Sequence, residues 1–167
     1  MDLSGLHGPI VVVHVLGVFL FLLAHGVSAA VLLRIQSERD PGALRTLLDL
    51  SRRSMNLTLV GFLLWFVAGI LAGFSGNWWT SGRYWIWVSL VLAIVIVLLM
   101  TPMGRIYLNR VRESVGVDPK TGQAIPGFQP DGAAIAAAIG TGQPTVLAAI
   151  GVVGLAVIGW LMIAKPF

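Results

Sequence analysis

The residues of this chain with the clearest capacity for chemistry are its three histidines, His7, His14 and His25. At about 100° per residue, the seven- and eleven-residue steps between them return almost to one direction, which predicts that all three share one face of a helix. His14 and His25 would then lie about 16 Å apart along the axis. One iron or copper ion is far too small to be held by both, so each histidine needs a second ligand from elsewhere.

Methionine can supply that second ligand, because copper and haem iron both accept a thioether. By depth in the apolar stretches described below, Met162 is level with His14 and Met100 is level with His25. The sequence therefore predicts a cofactor site for haem b or copper with the candidate ligands His14, His25, Met100 and Met162. A symmetry-related His14 in a homodimer is the other route to a second ligand.

The alternative is that each histidine makes a hydrogen bond to a neighbouring helix. Histidine inside a membrane span is costly unless it is neutral and bonded or has a ligand to bind. The candidate acceptors are backbone carbonyls and the hydroxyls of Ser28, Thr58, Ser89 and Thr145. For His7, the nearby Asp2 adds a third option, a weak metal site at the outer surface.

The elements that must position these residues are membrane spans. Of 167 residues, 57% are hydrophobic and only 11% are charged, and the mean hydropathy is +0.89. Four apolar stretches are long enough to cross a bilayer, at about residues 9–33, 55–74, 84–102 and 145–164. The prediction is an all-α polytopic membrane protein, a single domain of four transmembrane helices in a bundle.

The orientation follows from the basic residues. Nine of the eleven lie in the two long connections, residues 34–54 and 105–143, and such connections stay in the cytoplasm. Both termini and the tryptophan-rich turn at residues 75–83 then face outward, and the bacterial cytoplasmic (inner) membrane is the predicted location. The basic residues flank apolar segments, so membrane topology explains their placement. Nucleic acid is therefore not a predicted partner.

Local signals refine the helices. Asp40-Pro41 is typical of a helix start, with an acidic N-cap and proline at the first helical position. Asp131 is placed to cap a short helix after it. Pro102 is expected to end or kink the third span. Gly69-x-x-x-Gly73 offers a surface that another helix can approach closely.

Five short motifs together resemble a known family. They are His14-Val-Leu-Gly17, the basic segment with Asp40-Pro41, Gly76-Asn-Trp-Trp, Pro102-Met-Gly-Arg105 and the final Lys165-Pro166. The chain resembles bacterial four-helix integral membrane proteins of unknown function that lie near the copper-resistance D type of membrane protein. The resemblance implies an inner-membrane bundle and, through those relatives, copper or haem handling. The chain lacks the further histidines and methionine-rich segments that metal transport favours.

Most catalytic chemistries lack the residues they need. The chain has no cysteine, no acidic residue inside a span, no serine with a partnered base and no phosphate-binding loop. An enzyme is therefore not predicted, and the missing carboxylate disfavours ion-coupled transport.

The predicted function is an accessory or structural membrane protein, either a homodimer or part of a larger membrane complex. Lipid is its surrounding partner. The alternatives are a redox protein that binds haem or copper through the histidines of the first helix, and a small-molecule permease with a polar cavity at mid-depth.

Overall fold

The computed structural model describes residues 4–79 and 82–167 and is all-helical in its long elements. In chain order, the elements are a 3₁₀ turn at Ser4–Leu6, α1 at His7–Ser37, α2 at Pro41–Ser75, α3 at Tyr84–Ser114, α4 at Gly132–Ile139 and α5 at Gln143–Ala164. α1, α2, α3 and the segment Gly132–Ala164 are each long and apolar enough to cross a membrane. The predicted all-α fold with four long apolar helices is confirmed, and the chain is a multi-pass membrane protein by composition. Its orientation stays a prediction.

The helices run beyond the predicted spans. Asp40 caps α2 as predicted, because its carboxylate accepts a hydrogen bond of 2.6 Å from the Ala43 amide. The basic segment before the second span, residues 41–54, therefore belongs to the same helix as that span. α3 passes through Pro102 to Ser114, so Pro102 does not end the helix, and a kink there stays a prediction. A proline removes only one backbone N–H donor. A membrane helix tolerates this loss because neighbouring groups can bond the backbone group that is left free.

α1 and α2 form the most closely packed pair. The residues of α1 that contact or face α2 recur every seven positions: His7, His14, Phe21, Ser28 and Ile35. A seven-residue repeat has a period of 3.5, which winds two helices around each other with a left-handed twist. The Ser28 and Ser54 hydroxyls meet at 2.8 Å in this seam.

Glycine lets the two backbones touch. A Cβ atom on Gly17 would lie 2.5 Å from the Trp65 backbone nitrogen, and one on Gly61 would lie 2.6 Å from the Phe21 backbone nitrogen. Real Cβ atoms do not approach a backbone this closely, so both positions require glycine. These two glycines set the distance between α1 and α2.

α3 and α5 form the second pair, which meets the first mainly through α1 against α5. Apolar clusters hold the two pairs together at both ends. The larger cluster lies at the end of the two long connections and includes Ile35, Leu44, Tyr107, Val111 and Ile135. The other cluster, at the opposite end, contains Trp85, Ile86 and Leu161, with Trp78, Trp79 and Met162 packed against it.

The long connection after α3 is more ordered than a plain linker. Asp131 caps α4 as predicted, through bonds of 3.0 and 3.3 Å to the amides of Ala133 and Ala134. α4 then buries Ile135 and Ile139 in the larger cluster. Ahead of it, residues 117–124 form a tight turn closed by a bridge between Val117 and Ala124.

Candidate functional site

His7 fastens the start of α1 to the end of α2. Its Nδ1 lies 2.8 Å from the Ser75 hydroxyl oxygen, and that hydroxyl donates to the Ala72 carbonyl. The Ser75 proton is therefore used, so Nδ1 of His7 is the donor of their bond. Asp2, its predicted metal partner, lies outside the described residues. Within residues 4–79 and 82–167, no group of three histidine, aspartate or glutamate side chains is placed to hold a metal ion.

His14 is bonded to the backbone of α2. Its Nδ1–H donates to the Trp65 carbonyl oxygen at 2.7 Å, as the hydrogen-bond alternative predicted for a histidine of the first span. The imidazole lies over Gly69, where a Cβ atom would be 3.0 Å from the ring. Gly69 therefore makes room for this ring, and Gly73 makes room for the Trp79 indole in the same way. The predicted small surface is filled by rings of the same chain.

His14 and Met162, the predicted pair, have different neighbours in the structure. Met162 packs with the tryptophans and Leu161 at the end of the α3–α5 pair, whereas His14 faces α2. Matched depth places two residues at one level of a bundle, but the direction of each side chain depends on which helices are neighbours.

His25 and Met100 are brought together, on the surface of Gly151 in α5. A Cβ atom on Gly151 would lie 3.2 Å from His25 Nε2, 3.4 Å from Met100 Cε and 4.0 Å from Met100 Sδ. The His25 ring is stacked on Phe21, with the ring centres 5.2 Å apart. Three helices thus bring an imidazole nitrogen and a thioether sulfur to within 4.0 Å of one position on Gly151. Sequence reasoning found both donors but missed Gly151 as the residue that gives them space.

The three histidines do not face one neighbour. His7 and His14 contact α2, whereas His25 contacts α5. The coiling of α1 around α2 explains the difference: at a period of 3.5 residues, an eleven-residue step overshoots the shared direction by about 50°. His25 is thereby turned out of the α1–α2 seam and towards the second pair.

A cavity of about 230 Å³ surrounds His25 and Met100. Its other polar lining group is Ser28, and aliphatic side chains from α1 and α5 make up most of the wall. Cavities for drug-sized ligands begin at about 300 Å³, and a haem needs more than that, so this volume suits a single ion better than a haem. Imidazole and thioether are a donor set that suits Cu(I), and a single ion fits this volume.

A second recess, of about 340 Å³, lies at the tryptophan-rich end. The Lys165 ammonium group lies 5.5 Å from the centre of the Trp78 ring and 5.6 Å from that of Trp85. Arg83 also lines this recess. The cation–π contacts tie the residues after α5 to the start of α3, a link that the sequence did not predict.

Comparison with models of known protein families, with curated proteins and with solved structures finds no match to this chain. The resemblance to the family near copper-resistance D therefore stays a prediction.

Proposed function

We propose that this chain is an accessory or structural protein of the bacterial inner membrane, which acts by lateral association as a homodimer or within a larger membrane complex. Open glycines on the spans carry the proposal. A Cβ atom on Gly26 of α1 or Gly159 of α5 would meet no atom within 4 Å. Glycine costs about 1 kcal/mol relative to alanine inside a helix, and small residues are the usual contact points between membrane helices.

The use of the polar groups supports the same proposal. His7 and His14 are bonded to α2, and Ser28 is bonded to Ser54. Ser89 donates to the Trp85 carbonyl of its own helix. These side chains stabilise the bundle, and their arrangement offers no nucleophile with a base.

The test is the mass of the purified protein in a mild detergent, measured by light scattering. We expect a dimer or a co-purifying partner, and we expect Gly159→Leu to weaken the association. Val153→Leu, which changes another lipid-facing side chain of α5 without filling an open glycine, is the matched control. A wild-type protein that purifies as a monomer with nothing attached would contradict the proposal.

A second candidate function is binding of a single Cu(I) ion, and the convergence of His25 and Met100 on Gly151 favours it. His25 Nε2 and Met100 Sδ would hold the ion, and copper would supply one-electron redox chemistry or be carried as cargo. Most of the cavity wall is aliphatic, which disfavours water beside the two donors. The same wall offers few groups to a polar solute, so a permease is less well supported.

Elemental analysis of the protein purified after growth with copper tests this candidate. Met100→Leu is close to volume-conserving, so we expect it to abolish copper binding while the bundle stays folded. Met162→Leu removes a thioether that packs in the tryptophan cluster and should leave binding unchanged. Equal copper content in both variants and the wild type would overturn the assignment.

A further inference from the structure

The His25 imidazole keeps its hydrogen-bonding capacity inside the bundle. His7 and His14 are bonded to α2, whereas His25 makes no hydrogen bond within the part of the chain that the structure describes. Its ring is stacked almost parallel on Phe21, with 11° between the two planes, and its Nε2 lies 3.2 Å from the position of a Cβ atom on Gly151. A histidine in a membrane span without a partner in the protein is a candidate to bind a ligand.

The cavity beside His25 follows α1 and is open to the surface of the bundle. Its lining runs from Leu22 to Leu32, about 15 Å along the helix axis. Two of the lining side chains are also exposed on the outside, Leu22 at 40% and Val152 at 69%. Between them Gly26 leaves open space, because a Cβ atom there would meet no atom within 4 Å. A molecule dissolved in the bilayer can therefore enter from the side.

The depth of His25 decides which class of molecule can bond to it. His25 precedes Leu33, the last residue of the first apolar stretch, by about 12 Å along the helix. The polar headgroup region of a bilayer lies outside its hydrocarbon core, so a phospholipid places only its acyl chains at this depth. Acyl chains form no hydrogen bond with an imidazole. A ligand of His25 must carry a polar group into the hydrocarbon core.

We propose that this cavity binds the ring of a membrane quinone, with His25 Nε2 bonded to a ring oxygen. A quinone is apolar enough to dissolve in the hydrocarbon core, and its carbonyl groups are hydrogen-bond acceptors. The cavity measures about 230 Å³. At roughly 30 Å³ for each non-hydrogen atom, as for liquid water, this holds about eight atoms, enough for the carbons and oxygens of a benzoquinone ring.

The remaining features of the site suit the same ligand. The isoprenoid chain of a quinone would leave between α1 and α5, past the exposed side chains of Leu22 and Val152. A neutral imidazole nitrogen is a donor in one tautomer and an acceptor in the other. His25 Nε2 can therefore donate to the carbonyl of a quinone or accept from the hydroxyl of a quinol.

The inference does not depend on the proposed lateral association, and it uses the cavity differently from copper. Cu(I) would be held by the lone pair of His25 Nε2 together with the Met100 sulfur. A quinone needs the hydrogen bond from His25 but not the thioether. Met100→Leu therefore separates the two ligands, because it is expected to abolish copper binding and to leave quinone binding unchanged.

The experiment is a calorimetric titration of the purified full chain, in a mild detergent, with decylubiquinone. Decylbenzene, which has the same alkyl chain on a ring without oxygens, is the control ligand. We expect the wild type to bind decylubiquinone more tightly than decylbenzene. His25→Leu keeps an apolar side chain of similar size and should bind decylubiquinone about five-fold more weakly, which is the usual effect of losing one hydrogen bond. Met100→Leu is the matched control variant.

Equal affinity of the wild type and His25→Leu for decylubiquinone would overturn the inference. So would a wild type that binds decylbenzene as tightly as decylubiquinone, since the cavity would then accept any apolar molecule. This second comparison uses only the wild type, so it decides the question even if His25→Leu fails to fold.

Discussion

Tyr107 is the largest fully buried side chain of the protein, and it carries a polar group into the main apolar cluster. Its hydroxyl has no hydrogen-bond partner among the described residues. Burial raises the pKa of Tyr107 to about 12. A buried hydroxyl without a partner contributes little to stability and costs desolvation, so the ring and not the hydroxyl accounts for the packing here.

For this single residue, we predict that Tyr107→Phe leaves the free energy of unfolding at neutral pH unchanged or raises it by up to about 1 kcal/mol. In the wild type, the unfolded chain releases the tyrosine proton near pH 10, whereas the folded chain holds it until about 12. Stability is therefore fully present below pH 10 and falls as the pH rises to about 12.

Unfolding midpoints measured by circular dichroism between pH 8 and 12 check this prediction. Tyr107→Phe should reduce the alkaline loss of stability, while Tyr84→Phe, which changes the exposed second tyrosine, serves as the control. A variant that is several kcal/mol less stable at pH 7 would show that the hydroxyl has a partner after all.

Among the elements, the α1–α2 pair depends on backbone contact at two glycines, one on each helix. Gly17 lies against the backbone of Trp65 and Gly61 against that of Phe21. A backbone cannot rotate away as a flexible side chain can, so any added atom must push the helices apart. The same close approach puts the His14 imidazole within reach of the Trp65 carbonyl.

We therefore predict that Gly17→Ala destabilises the protein by about 1–3 kcal/mol, the usual cost of overpacking. Gly26→Ala on the same helix meets no atom within 4 Å, and alanine is the better helix former. That control should be neutral or slightly stabilising. Unfolding in mixed detergent micelles measures both, and equal stability of the two variants would refute the close contact.

In the molecule as a whole, two helix pairs are joined by apolar clusters at both ends, and a cavity lies between them. The cluster around Tyr107 closes one end and the tryptophans close the other. Between these clusters, α1 meets α5 at Gly151, beside His25 and Met100. This arrangement places the site between the two helix pairs, where α1, α3 and α5 meet.

The orientation of the whole molecule is testable because the chain has no cysteine. We predict that a membrane-impermeant maleimide labels Tyr84→Cys on intact cells and does not label Lys120→Cys until the membrane is opened. Tyr84 is the first residue of the third apolar stretch and is 61% exposed, and Lys120 lies in the second long connection. Labelling of Lys120→Cys alone on intact cells would reverse the orientation drawn from the basic residues.

The sequence by itself determined the class of protein, the four long helices and several of their limits. Apolar stretches of this length have few other stable environments than a bilayer. The caps at Asp40 and Asp131 were predictable because a cap is a local interaction between residues close in sequence. The level of Met100 beside His25 was also predictable, since the rise per residue of a helix is fixed.

Only the tertiary structure decided which helix each side chain faces. The coiling of α1 around α2 turned His25 away from the direction of His14, and the contact of α1 with α5 gave it Met100 and Gly151 as neighbours. Met162 shared a predicted level with His14 but packs elsewhere. The local geometry of a helix sets the depth of each residue along the bundle. The neighbour that a side chain contacts depends instead on how distant segments pack, and no local sequence pattern encodes that packing.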